Sequence, residues 1–168
     1  GAAALASGMS VAVIMLPLLP PDLLAATPIP AIYPETAEQI GWPELVASVE
    51  TVAEGLPPRD RERAAVLTLN YGEAGALTLF GGPAMPPVYS GHNSFVDWGP
   101  PDDGRDLVIL VGWRVPAAVA DAVGPCERRA TIRNPAGVRN EELGAGVWVC
   151  PQMRMRWSDA WKRLRHLN

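Results

Sequence analysis

Residues Ala64 to Pro101, AAVLTLNYGEAGALTLFGGPAMPPVYSGHNSFVDWGPP, carry the pattern that decides the fold. Ala64 to Leu69 is apolar almost throughout, the composition of a parallel strand covered on both faces. Asn70, Tyr71 and Gly72 break it. Glu73 to Phe80 then sets Ala74, Leu77 and Phe80 on one helical face and is stopped by Gly81 and Gly82. With Val88 to Ser90 as the next parallel strand, Asn70 to Glu73 and Ser90 to Trp98 both lie beyond strand carboxyl ends. They therefore share one rim of the sheet, the edge at which open α/β sheets bind ligands.

Outward from this unit the elements alternate in the same sense. Pro43 suits a first helical position, and Leu45, Val46, Val49, Val52 and Leu56 give a helix over about Pro43 to Glu54 one apolar face, ended by Gly55. The charged run Arg59 to Arg63 reads as a turn before the central strand. Downstream, Asp102 to Asp106 is a polar turn and Leu107 to Val111 an aliphatic strand. Pro116 opens a helix that buries Val119, Ala120 and Val123 and stops at Gly124 and Pro125. Glu127 to Arg133 and Gly146 to Cys150 are two more strands around a polar loop, Asn134 to Gly144. The last helix starts near Ser158 as N-cap, with Trp157, Trp161 and Leu164 on one stripe. The expected class is α/β: a small, mainly parallel sheet with helices packed on it, a C-terminal strand pair and a final helix.

At 168 residues the chain suits one domain with a real core. A formal charge of -4 gives no reason to expect a nucleic-acid partner. The segment after Pro151 is locally basic, with Arg154, Arg156, Lys162, Arg163 and Arg165 against Asp159. Ala2 to Leu19 is uncharged and mostly apolar, lacks the basic start of a signal peptide, and reads as the end of a transmembrane or apolar segment covering residues 1–20. Pro17, Pro20, Pro21, Pro28, Pro30 and Pro34 make residues 21–34 an extended connector. Residues 35–168 then form a single soluble α/β domain. Cys126 and Cys150 flank candidate strands and are expected to form a disulfide, which places the domain outside the cytoplasm. Neither lies in a CxxC or near a histidine at ligand spacing, so neither a metal site nor a cofactor is expected.

Two stretches could carry chemistry. The turn Asn70-Tyr71-Gly72-Glu73 leads from strand into helix as phosphate loops do, but Glu73 puts a carboxylate where a phosphate would sit. Glu73 reads either as a site residue or as a first-turn acid that offsets the helix dipole. The loop Tyr89 to Trp98 combines hydroxyl, imidazole, amide, carboxylate and aromatic groups, a mixture suited to a sugar or another polyhydroxylated ligand. The candidate ligand-binding residues are Asn70, Tyr71, Glu73, Ser90, His92, Asn93 and Trp98. A hydrolase would need Ser90 or His92 with Asp97 or Glu73, but no G-x-S-x-G elbow is present. No catalytic residue is assigned.

The stretches NYGEAGAL (Asn70 to Leu77), PPVYSGHNSFVDWGPP (Pro86 to Pro101) and VILVGW (Val108 to Trp113) resemble the carboxyl-terminal extracytoplasmic domain of bacterial multi-spanning glycosyltransferases of the protein O-mannosyltransferase and aminoarabinose transferase type. The resemblance extends from LPLLPP to WSDAWKRLRHL, nearly the whole chain. It implies a polyprenyl-phosphate sugar donor, an acceptor glycan or protein on the outer face of the membrane, and the membrane part of the same chain as partner. In that family the catalytic carboxylates belong to loops between amino-terminal transmembrane helices, so none carries over to this sequence. The domain would aid recognition of the acceptor or of the donor headgroup. The alternative is a membrane-tethered or secreted sugar-binding or sensor module without transferase activity.

Overall fold

The apolar run from Ala64 forms β1 (Ala64–Thr68), buried at every position. The computed structural model describes residues 7, 8, 11, 12, 15, 16, 18–38 and 40–166. Its other strands are β2 (Val88–Ser90), β3 (Leu107–Gly112), β4 (Glu127–Thr131) and β5 (Gly146–Cys150). Helices among the described residues include α1 (Pro21–Ala25), α2 (Ile29–Ile32), α3 (Trp42–Glu54), α4 (Pro58–Glu62), α5 (Tyr71–Phe80), α6 (Ala117–Ala122) and α7 (Trp157–Leu164). By its internal contacts the chain divides into two units, Gly1–Gly41 with Arg133–Leu143, and Trp42–Ile132 with Gly144–Asn168.

The second unit is the α/β body. Its five strands run in the order β2-β1-β3-β5-β4. β1 pairs in parallel with β2 and β3, while β5 inserts antiparallel between β3 and β4. The class is the expected one, with the strand pair and the final helix in place. Side-chain alternation along each strand sorts the core into two layers. Val66, Ile109, Val111 and Val147 meet Leu45, Val49 and Leu77 of α3 and α5 on one face. Ala65, Leu67, Val108 and Leu110 meet Val119, Trp157 and Trp161 of α6 and α7 on the other. Each such large side chain contributes about 1.5–3 kcal/mol when fully buried.

Several local expectations are corrected. Arg59 to Arg63 is not a simple turn: Pro58 at a first helical position and Asp60 in the first turn start α4. Phe80 is exposed at the end of α5, where Ala76 shares the buried face with Ala74 and Leu77. Val119 and Val123 are buried as expected, but Ala120 is exposed and Ala122 takes its place on the buried face of α6. Ser158 is not the cap of α7. That helix begins one residue earlier, and its Trp157 N–H donates to Asp103 Oδ1 at 2.8 Å, a cap supplied from the turn before β3.

The disulfide forms between Cys126 and Cys150. It joins the residue before β4 to the last residue of β5, next to the Glu127–Val149 pair of the ladder.

In the first unit, the expected extended connector is a series of short turns, α1, α2 and a 3-10 helix Pro34–Thr36, each with a proline at its first or second position. A proline φ suits those starts as well as an extended chain, so composition alone could not separate the two. Asn140 Nδ2 donates to the carbonyls of Ala37 (3.0 Å) and Ile40 (2.6 Å), which holds the loop Arg133–Leu143 to the amino-terminal turns. Among the described residues no helix is long and apolar enough to cross a membrane. Much of the run expected to do so, residues 2–6, 9, 10, 13, 14 and 17, lies outside the described residues.

Glu142 in this unit is buried at 4% exposure, and its Oε2 has no hydrogen-bond partner among the described residues. Burial pushes its carboxyl up to about 7; the backbone hydrogen bond at Glu142 opposes this, and the Glu141 and Glu38 charges add to it. Unfolded, the group titrates near 4.5. Between these values the unfolded chain ionises and the folded one does not, so stability falls as pH rises and the loss is complete above about 7. The full shift corresponds to at most about 3 kcal/mol. Glu142→Gln should therefore raise the thermal midpoint at pH 8 and leave it nearly unchanged at pH 4. Parallel pH profiles for the two proteins would contradict this account of Glu142.

Candidate functional site

The rim beyond β1 and β2 is built by backbone groups seeking partners where the strands end. Thr68 Oγ1 donates to Asn70 O at 2.8 Å, and Asn70 Oδ1 accepts the Gly72 N–H at 2.6 Å, capping α5. The next free helical donor, Tyr71 N–H, reaches across to His92 Nδ1 at 3.2 Å. An imidazole that accepts at Nδ1 carries its proton on Nε2. That Nε2 is buried without a partner among the described residues. Ser90, fully buried, donates from Oγ to Thr68 O at 3.1 Å and accepts the His92 N–H at 3.2 Å. Ser90 therefore bonds the backbone and not the His92 ring, and no nucleophile–base pair is formed.

A group absent from the sequence expectations completes the rim. The chain leaving α7 lies beside the extension of β2: His166 N–H donates to Gly91 O, and Asn93 N–H donates to His166 O, both at 3.0 Å. The His166 ring stacks on His92 with centroids 4.8 Å apart and planes 13° from parallel. Its Nδ1 lies 2.8 Å from Leu164 O and its Nε2 2.9 Å from Leu69 O. Both partners are carbonyl oxygens, and which ring nitrogen donates depends on the tautomer. A lone histidine near the last position has no spacing or periodicity to mark it, and only the fold brings it to the rim.

Gly91 permits this approach, because a Cβ there would run into the backbone of Leu164. Gly91→Ala should cost about 1–3 kcal/mol, as overpacking does, and speed amide exchange of His166 and Asn93. Unchanged exchange at both amides would show that the close contact is not needed.

Asn70, Ser90 and His92 thus join one network that shapes the rim. Glu73 is buried in the first turn of α5, consistent with the reading as a first-turn acid. Three predicted residues remain open to a ligand. Tyr71 is 50% exposed with its ring edge toward His92, Asn93 is half-buried at a left-handed φ of 51°, and Trp98 is 73% exposed. Trp98 ends a 3-10 helix, Asn93–Trp98, held down by buried Val96, whose carbonyl accepts Trp161 Nε1–H at 3.1 Å. The Trp98 ring packs against Phe95 at 4.4 Å, leaving an aromatic platform on a fixed loop. Asp97 and Arg165 approach to 3.8 Å beside it, an exposed pair of little energetic weight. Among the described residues no three His, Cys, Asp or Glu side chains are grouped to hold a metal ion.

Two cavities flank the sheet ends. One of about 290 Å³ opens at the carboxyl end of β1, between α6 and α7, with a mainly apolar lining. The other, about 540 Å³ and more polar, lies by the amino ends of the strands, against Arg61, Met85 and Arg105. The second is larger, but the carboxyl edge is where crossovers diverge and leave backbone groups free for a ligand.

No family model, curated protein or solved structure matches the chain.

Proposed function

We propose that this chain is an extracytoplasmic α/β domain of an integral-membrane glycosyltransferase with a polyprenyl-phosphate sugar donor. In this reading it sits on the outer side of the cell membrane, and its carboxyl rim recognises the acceptor or the donor headgroup. The observation that carries the reading is the open part of the rim. Trp98 and Phe95 offer an apolar ring face to sugar C–H groups, on the same edge as Tyr71 and Asn93. That pairing of ring faces with hydroxyl and amide groups is what carbohydrate recognition uses. The resemblance of the NYGEAGAL and YSGHNS stretches supports the family, and the Cys126–Cys150 bridge supports an oxidising compartment. The Ser90 and His92 side chains bond backbone groups and not each other, which suits recognition with chemistry elsewhere in the protein.

The test is titration of the isolated domain, by calorimetry, with a short-chain isoprenyl-phosphate mannose and with free monosaccharides. Trp98 is so exposed that Trp98→Ala should leave the fold intact. It should weaken binding of the phosphate sugar at least about tenfold, equivalent to 1.4 kcal/mol. Equal affinity of the parent and Trp98→Ala domains would remove the platform from the account. Absence of binding to any of the sugars would remove the recognition role.

A further inference from the structure

The cavity at the carboxyl end of β1 borders the rim through Thr68, Gly91 and His166, but most of its lining is apolar and lies away from Trp98. Its walls include Leu67 and Leu69 from the strand end, Ala118 and Val119 of α6, and Leu164 of α7, and Arg163 is also part of the lining. Its volume of about 290 Å³ lies at the small end of the range for ligand sites.

The polar atoms around it are unequally engaged. Thr68 Oγ1 is committed to Asn70 O, and both His166 ring nitrogens face carbonyls. Arg163 is exposed and has no hydrogen bond or ion pair among the described residues, whereas Arg156 and Arg165 on either side are paired with Asp159 and Asp97. A guanidinium with five unused donors beside an apolar recess presents one charge and one greasy wall to the same ligand.

From this we infer a second binding site, independent of the glycosyltransferase reading: the recess between α6 and α7 takes a small aliphatic anion. Its hydrocarbon part lies against Leu67, Val119 and Leu164, and its carboxylate or phosphate on Arg163. The apolar part supplies affinity, and the charge sets which end faces out. A neutral chain of the same length loses the Arg163 contact, and an aliphatic cation is repelled by it.

The probes are sodium hexanoate, hexyl phosphate, hexan-1-ol and hexylammonium, followed by methyl chemical shifts of Val119 and Leu164. Hexanoate or hexyl phosphate should shift both methyls saturably and bind about tenfold or more tighter than hexan-1-ol, and the stronger of the two names the head group. Arg163→Gln, an exposed change that leaves the core untouched, should bring the anion down to the affinity of the alcohol. Ala118→Leu, which narrows the recess, should abolish binding by all of them, with near-UV circular dichroism verifying the fold. Equal binding of anion and alcohol, retention of the preference in Arg163→Gln, or no saturable shift with any probe would each overturn the assignment.

Discussion

Trp157→Ala is expected to lower the stability of the α/β body by about 3–5 kcal/mol, the range for emptying a core site of this size. The indole is only 2% exposed, in the core layer beneath α6 and α7. Its Nε1–H donates to Arg105 O at 2.7 Å, and its edge meets Trp161 at 6.5 Å between centroids. Removing it leaves a cavity and a buried carbonyl without its donor, two costs that add. The effect reaches the rim, because α7 delivers both Trp161, which holds the Trp98 loop through Val96 O, and His166, which pairs with Gly91 and Asn93 just beyond β2. Urea unfolding should show the lower midpoint, and Trp157→Phe, which keeps most of the volume, should lose less. A loss below about 1 kcal/mol for the alanine variant would mean that α7 is not anchored through this ring.

Removal of the disulfide, as Cys126→Ala with Cys150→Ala, should cost about 2–5 kcal/mol. The sequence separation of 24 makes the closed loop long enough for a substantial entropic contribution, and the sheet gives it a specific task. β4 is an edge strand with Glu127, Arg128, Arg129 and Thr131 exposed, so little apolar burial holds it to β5. Its ladder is also interrupted by a register shift between Arg128 and Ala130. Without the covalent link β4 should fray first, seen as fast amide exchange from Glu127 to Thr131. Equal unfolding midpoints with and without reductant would show that the ladder alone suffices.

What could be read from the residues follows the strength of their local pattern. β1 and β3 are continuous aliphatic runs, and such runs have few ways to be buried other than as inner strands. β5 shows its Val147, Trp148, Val149 alternation, and α3 its apolar stripe, so these too were legible. The cysteine pair was legible because both members flank strands. The order of pairing was not: nothing in Gly146 to Cys150 says that it inserts between β3 and β4, since that depends on which edge stays open after the crossovers. The start of α7 was misplaced because its cap, Asp103, comes from a turn far away in sequence.

The candidate site was legible in composition and not in role. Seven rim residues stand out by their chemistry, and the structure divides them by where their hydrogen bonds go. Asn70, Ser90 and His92 spend theirs on Gly72, Thr68 and Tyr71 backbone groups. Trp98 keeps its face open only because Val96 anchors the loop from below. Nothing in the sequence marks His166, and Arg163 stands out there only as one of several basic residues, because the importance of both is positional. His166 lies beside the segment after β2, and Arg163 beside a recess that exists only once α6 and α7 are packed.

The central claim is that the carboxyl rim of the sheet is the recognition surface. Amide and indole chemical-shift mapping with a short-chain isoprenyl-phosphate mannose tests it most directly. The account predicts saturable shifts at Tyr71, Asn93 and the Trp98 indole, with Met85 and Arg105 at the opposite strand edge unmoved. Shifts centred on Met85 and Arg105, or no saturable shift at the rim, would contradict it.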